Sequence, residues 1–466
     1  MFPRCNLVLL FAACCVFSLA GSTSAQTPSN DWLGFRGSDG NGTSATATPP
    51  TTWSSTKNIA WKKKIPGKGS SSPIVVGNRV IITAATPSDP DWKPPKRMDR
   101  RELAKKFDEN GDGNLSTAER NKAIAFMRSQ QKSLLAKHSF NVLCYDRNSG
   151  ELLWNKTATT VTPHEGHHSD HGYASASPVS DGEVVLVNFG SRGLFCFDLE
   201  GELKWKREDL GMMKTRGAFG EGSSVSIAGN SVVLPWDHEG QSRIEVIDRL
   251  TGETIWKKNR EEPSNWVTPR VVEIEGRQQI VQAGERFSRG YDLGTGEEIW
   301  KASGLTMRPV ATPAVMDNLA FVSSGRRGYV LQAIRLDQKG DISSNGIEWN
   351  ISRQTPDIPS LLLSENRLFF VGRNNGILSC VDAKTGKPFF GPERLPLKSI
   401  YSSPVAADGK VFVTSRAGKT MVIKDAQKLE RVSINDIGEP VDASLALSES
   451  DIFIRGRSHL YCVREK

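Results

Sequence analysis

Residues 108–119 place side-chain oxygens at Asp108, Asn110, Asp112, Ser116 and Glu119, with Gly113 at the centre of the run. Oxygen donors at the first, third and fifth positions, a backbone carbonyl at the seventh (Asn114), a water-mediated contact at the ninth (Ser116) and two oxygens from the twelfth (Glu119) surround a hard cation, and the glycine makes the sharp bend. The set suits Ca2+, and Leu115 is expected to anchor a short strand of the loop. Helices are expected over 100–107 and 117–127, with Ile124 and Met127 on one apolar side. Such loops usually work in pairs and the sequence has one, so a structural clip is expected rather than a sensor.

A second cluster follows at His164, His167, His168 and His171, four of the seven histidines in the chain. Imidazoles near carboxylates can bind zinc, copper or iron. Pro163, Gly166 and Gly172 interrupt any helix there, so the competing reading is a polar, hydrogen-bonded loop. Arginines recur after presumed second strands at Arg192, Arg289, Arg326, Arg327, Arg373 and Arg416, with Arg216, Phe219, Trp266, Arg308 and Tyr401 nearby. Guanidinium groups beside aromatic rings suit a carboxylate, sulfate, phosphate or sugar, while the plain alternative is strand-end capping.

A unit of about 45 residues repeats along the chain, the signature of a propeller or solenoid. It opens with a small residue and proline at Ser72-Pro73, Ser177-Pro178, Thr268-Pro269, Thr312-Pro313, Ile358-Pro359 and Ser403-Pro404, and second strands are expected over 79–83, 184–188, 319–323, 367–371 and 410–414. The unit ends in a hairpin of fixed spacing, Asp146/Gly150/Trp154, Asp248/Gly252/Trp256, Asp292/Gly296/Trp300 and Asp382/Gly386/Phe390, with a shorter form at Asp198/Gly201/Trp205. Asp bonds the backbone two residues on, Gly takes the positive φ that closes the turn, and the aromatic ring packs between neighbouring sheets.

Eight first strands are expected, near residues 73, 178, 225, 269, 313, 359, 404 and 445. The last unit lacks a fourth strand, and residues 59–62 look like that strand, so the termini should close the ring and remove two sheet edges. Cys144, Cys196, Cys380 and Cys462 occupy equivalent positions in different units. They should be too far apart for disulfides and are expected to be free, buried packing groups.

The turn motif at Asp248 and Asp382 resembles the tryptophan-docking repeat of PQQ-dependent quinoprotein dehydrogenases and of the propeller lipoprotein of outer-membrane barrel assembly. The resemblance spans about 59–84 and 139–466 and implies an all-β, eight-bladed propeller of four-stranded antiparallel blades. The oxygen-rich run resembles an EF-hand loop, so residues 87–138 are expected to be a small helical insertion in blade one, between an N-terminal part, 26–86, and the rest of the propeller, 139–466. The quinoproteins carry adjacent cysteines beside the cofactor. Here the adjacent pair is Cys14-Cys15, within a presumed leader, and the family's catalytic Asp and calcium ligands have no match, so PQQ is not an expected cofactor.

Residues 1–25 read as an export signal: Arg4, an apolar stretch over 7–19, and Thr23-Ser24-Ala25 before a mature start at Gln26. A lipoprotein cysteine at Cys14 is the rival reading. No other stretch has the length and apolarity of a membrane-spanning helix. The formal net charge of +8 permits an anionic partner, but no nucleic-acid motif accompanies it. The combined expectation is an exported monomer, periplasmic or extracellular, that binds calcium and holds a small anionic or sugar ligand or an envelope protein. A quinone- or metal-dependent oxidoreductase and an outer-membrane assembly factor are the alternatives.

Overall fold

The computed structural model of the chain describes residues 30–93, 100–131 and 135–465. The presumed leader with Cys14, and the side chains of Ile124 and Met127, lie outside the described residues. Alternating apolar strands build eight sheets, each with four antiparallel strands that form one blade of a propeller, and two of them carry a fifth strand paired in parallel. Blade one consists of Ile74–Val76, Arg79–Pro87, His138–Asp146 and Leu152–Val161. Its second and third strands pair over their full length, Arg79 with Asp146 through Pro87 with His138, with two helices inserted between them: α1 (Arg100–Phe107) and α2 (Thr117–Gln131).

Ring closure follows the expected pairing. The strand Ile59–Lys64 lies antiparallel to His459–Val463 as the outer strand of blade eight, Trp61 opposite Cys462. Trp61, Tyr145, Phe453 and Tyr461 share one buried cluster that joins blade eight to blade one. The four cysteines are free and buried in separate blades, and burial raises each thiol pKa to about 12 or beyond.

Two repeated contacts hold the blades together. Toward the rim, the indole of one blade rests on the turn glycine of the next and donates to the carbonyl after the turn Asp: Trp61 to Arg147 (2.8 Å), Trp154 to Leu199 (3.0 Å), Trp205 to Arg249 (2.7 Å), Trp256 to Leu293 (2.8 Å) and Trp349 to Ala383 (2.9 Å). A Cβ on Gly150, whose φ is +69°, would stand 2.5 Å from the Trp61 ring, so both space and backbone exclude a larger residue. Trp300 is the exception to the expected pattern. It is buried in its own blade and donates to Gln279.

At the axis, the small residue that opens a unit accepts the amide of its counterpart in the preceding blade in seven of the eight blades. Ser72 donates to Ser177, Ser177 to Ser224, Ser224 to Thr268, Thr312 to Ser360, Ser360 to Ser403, Ser403 to Ser444, and Ser444 back to Ser72, at 2.8–3.3 Å. In blade six the ring residue is Ser360, two positions beyond the Ile358 that sequence spacing suggested, and its strand runs Leu362–Ser364.

The segment before the closing strand crosses the axis. Trp32 exchanges two backbone bonds with Val75 of blade one, Leu33 accepts from Ser180 of blade two, Asn41 brackets Val315 of blade five, and Thr43–Ser44 runs parallel to Val405–Ala407 of blade seven. The buried Arg36 guanidinium donates to the carbonyls of Leu361 (2.8 Å) and Pro404 (2.7 Å), and burial lowers its pKa to about 9, so it stays charged at neutral pH. This strap closes one end of the axial channel, the end bearing the first-to-second and third-to-fourth strand turns.

The hydroxyl ring makes a direct prediction. Ser72→Ala strands the buried amide of Ser444 and should cost about 1–3 kcal/mol, while Ser402→Ala, which removes a buried hydroxyl with no partner, should be near neutral. Urea unfolding of the two variants checks the contrast.

Candidate functional site

The opposite end of the channel opens into a funnel of about 620 Å³. The axial hydroxyl ring forms its neck, Phe35 of the strap its floor, and loops between blades and between second and third strands its mouth. Phe219, Trp266 and Tyr401 supply aromatic wall. Phe219 packs edge-on to His168 (5.2 Å) and obliquely on Trp266 (6.4 Å), whose indole donates to the Gly220 carbonyl.

The four histidines divide. His164 Nε2 bonds the Met213 carbonyl (2.5 Å) and stands 3.8 Å from Glu221. Its ligand atoms and those of Glu165 and Glu221 lie within 4.8 Å of one another, the one such convergence of three metal-ligating groups among the described residues. Glu221 is already paired with Arg192 (2.9 Å) and bonded to Ser191, so a cation there competes with a guanidinium. Burial raises the pKa of Glu165 despite its bonds from Thr215. The other three histidines sit at the mouth: His168 stacks on His171 (6.5 Å), His167 lies edge-on to Tyr173 (4.5 Å), and His171 Nδ1 meets Ser175 Oγ (3.0 Å). Their ring nitrogens bond mostly the loop's own backbone, the pattern of a polar loop.

The arginines also divide, and here sequence reasoning grouped unlike residues. Arg192 and Arg289 are buried, bound to Glu221 and Glu262, and belong to the blade interior because each neutralises a carboxylate that could not otherwise be buried. Arg216 is held by Glu239 (3.1 Å) and Glu285 (2.8 Å). Arg416 joins Asp442 (2.6 Å) and Asp170 (3.3 Å) while lying over the Tyr401 ring, whose hydroxyl donates to Asp170 (3.0 Å). Burial opposes ionisation of Asp170, yet the bonds from Tyr401 and Arg416 hold its pKa below the usual value.

Arg308 is different. Its one carboxylate, Asp357, is 3.7 Å away, its Nε is buried without a partner, and burial lowers its pKa. Arg326 and Arg373 at the same wall are exposed and make no ion pair among the described residues; Arg373 lies over Tyr329. Arg308, Arg327, Arg373 and Asn374 all adopt left-handed backbone, φ +47° to +59°, the kind of strain that collects at binding sites. Asp357, Asp442 and Phe35 escaped sequence reasoning because nothing in their local spacing marks them.

The oxygen-rich loop lies between α1 and α2, whose Phe107 and Phe126 rings meet at 5.4 Å. Glu119, 5% exposed, accepts the amides of Glu109 (2.7 Å) and Ser116 (2.8 Å), and its contacts with Ser116 lead the causes that lower its pKa. Asp108 takes the Gly113 amide through one oxygen (2.8 Å), while its other oxygen is buried without a partner. An orphaned carboxylate oxygen within this oxygen-rich loop is the kind of donor a hard cation takes. Residues 112–114 form a bend and 115–116 are irregular, without the short strand expected at Leu115.

The family model described as outer membrane protein assembly factor BamB matches residues 31–258 and 222–431. Among solved structures, BamB from Moraxella catarrhalis is 15% identical, with a TM-score of 0.49 over 70% of this chain and 92% of that one. The computationally designed Ika8 protein is 13% identical, with a TM-score of 0.48 over 71% and 93%. Sqt1 from Saccharomyces cerevisiae is 10% identical, with a TM-score of 0.53 over 71% and 94%, a likeness of fold alone. No curated protein sequence matches the chain.

Three histidines around this face, His138, His171 and His238, have pKa values lowered by burial. His238 Nδ1 accepts the amides of Lys214 and Gly240, bonds that need the neutral ring. Below a pH of about 6.5 the unfolded chain therefore binds more protons than the folded one, and stability should rise with pH up to about that value and then level. Urea midpoints at roughly pH 5 and 7.5 test this, with a smaller difference expected in His238→Asn.

Proposed function

Because the chain belongs to the outer membrane protein assembly factor BamB family, we propose that it is an exported scaffold of the cell envelope that holds a protein partner on its open face. The observation that carries this reading is the asymmetry of the two faces. One end of the axis is sealed by the strap, whereas the other gathers the projecting features: the α1–α2 insertion, the histidine loop, and the salt-bridged rim of Arg216, Glu285 and Arg416. Such a rim offers charge pairs and aromatic anchors, the groups that give protein interfaces their specificity. No described helix is long and apolar enough to cross a membrane.

Calcium belongs to the same reading as a brace for the insertion. Asp108, Asn110, Asp112, Glu119 and the Asn114 carbonyl would hold the ion, which supplies the positive charge that lets clustered oxygens face one another. The chain's own contribution is to set those oxygens: the amides of Gly113 and Ser116 orient Asp108 and Glu119, and Asn114 donates to Asp112 (2.7 Å).

Two experiments test these claims. Photo-crosslinking residues placed at Arg120 or Arg326 should trap one reproducible envelope protein in cells, and the same residue at Lys204 or Glu297, on blade edges away from the mouth, should not. Equal capture from both sets would refute the open face as the binding face. Separately, calcium titration should give one site, weakened at least about tenfold in Glu119→Gln, and chelator should speed proteolysis within 88–137. Absence of calcium uptake would remove the brace.

A further inference from the structure

One group of metal-ligating side chains lies apart from both the oxygen-rich loop and the funnel wall. His164 and Glu165 stand on the connection between blades one and two, and Glu221 on the connection between blades two and three. One ligand atom from each lies within 4.8 Å of the other two, a convergence that occurs once among the described residues. His164 Nε2 is 3.8 Å from Glu221 Oε1. Around a tetrahedral zinc, with bonds of about 2.0–2.1 Å, ligand atoms stand about 3.3 Å apart, so small side-chain rotations bring this pair to coordinating distance.

The charges in contact here do not balance. Glu165 and Glu221 are both buried, but they share one guanidinium: Arg192 pairs with Glu221 (2.9 Å), and Glu165 makes no ion pair among the described residues. Arg192 and the Ser191 amide take Oε2 of Glu221, which leaves Oε1 to the Ser191 hydroxyl and the side facing His164. Glu165 is bonded by the amide and hydroxyl of Thr215, and burial raises its pKa. Two buried carboxylates against one guanidinium leave a negative charge that calls for a proton or a metal ion.

The donor set narrows the ion. Calcium takes oxygens alone, whereas an imidazole with two carboxylates suits zinc. A void of about 10 Å³ beside Met213, Thr215 and Glu221 has room for about one water, a solvent ligand for an ion with three protein donors. The His164 side chain is 20% exposed, so an ion reaches the group from solvent.

We propose that His164, Glu165 and Glu221 form a zinc site that ties the two connections together. In the structure His164 Nε2 bonds the Met213 carbonyl (2.5 Å). On ligation the ring proton resides on Nδ1, the Nε2 lone pair turns to the ion, and the carbonyl stands by as a further oxygen donor. The site takes one of the four clustered histidines. His167, His168 and His171 bond the backbone of their own loop and stay outside it. Zinc would fasten the start of the histidine loop to the segment carrying Phe219, bracing one side of the funnel mouth.

Equilibrium dialysis of the chelator-treated full chain against zinc, with calcium in excess to occupy the loop at 108–119, tests the assignment. One equivalent of zinc is expected, bound about tenfold or more weakly in His164→Ala and in the isosteric Glu165→Gln, and unchanged in His167→Ala/His168→Ala, whose side chains are exposed. Zinc should also raise the melting temperature of the parent and leave that of His164→Ala where it is. The proposal is overturned if the chain takes up no zinc under these conditions, if either His164→Ala or Glu165→Gln binds it as the parent does, or if the His167→Ala/His168→Ala variant loses it. These outcomes are read independently of crosslinking to a protein partner and of calcium uptake, so each claim can fail while the others stand.

Discussion

Eight sheets can meet around one axis only if the chain there is narrow and every amide finds an acceptor. Serine and threonine at the start of each first strand meet both demands, because a short side chain leaves the channel open while its hydroxyl takes the amide of the blade before it. Ser444 donating to Ser72 turns this series into a ring. One link differs: the Thr312 hydroxyl is buried without a partner, and no bond joins it to the Thr268 amide. Seven bonds therefore link the eight blades, with the break between blades four and five. The outer ladder of indoles on glycines repeats the same logic at larger radius, where a wide ring is needed to fill the diverging gap between sheets.

Departures from the repeat have local causes. Blade five's last hairpin is lengthened, and its extra residues fold back so that Gly340–Asp341 pairs in parallel with Glu298–Ala302 of blade four. Leu336 and Ile342 of that extension bury against Trp300. The extension covers the space in which Trp300 would otherwise have met a turn glycine, so its indole bonds Gln279 within its own blade. Trp349, at the far end of the same hairpin, keeps the ordinary contact with Gly386 and Ala383.

What could be read from the sequence was what repeats or what is local. Asp, Gly and Trp at fixed spacing betrayed the blades because each turn must solve the same steric problem, and the lone Ile59–Lys64 strand was legible because blade eight was one strand short. The loop at 108–119 was legible because ligand spacing within twelve residues needs no tertiary information; whether it holds calcium is a matter for titration. Phe35, Asp357 and Asp442 were opaque for the opposite reason, since they become neighbours only after the ring has closed. The arginines were misgrouped on the same account: position after a second strand is shared by Arg192 and Arg326, but burial is decided by the carboxylate that another segment brings.

That difference in pairing governs what the open face can do. A guanidinium locked to a buried carboxylate, as in Arg260 with Asp237 or Arg289 with Glu262, is committed to the fold and stiffens the blade that carries it. Arg416 is intermediate, paired with two aspartates yet still at the funnel wall. Arg326 and Arg373 are exposed and make no ion pair among the described residues. A propeller can carry such a strained, electropositive wall because the ring distributes its stability over many equivalent contacts, none of which passes through these loops. Rigidity thus resides at the axis and rim, and the guanidinium groups without an ion pair stand at the mouth.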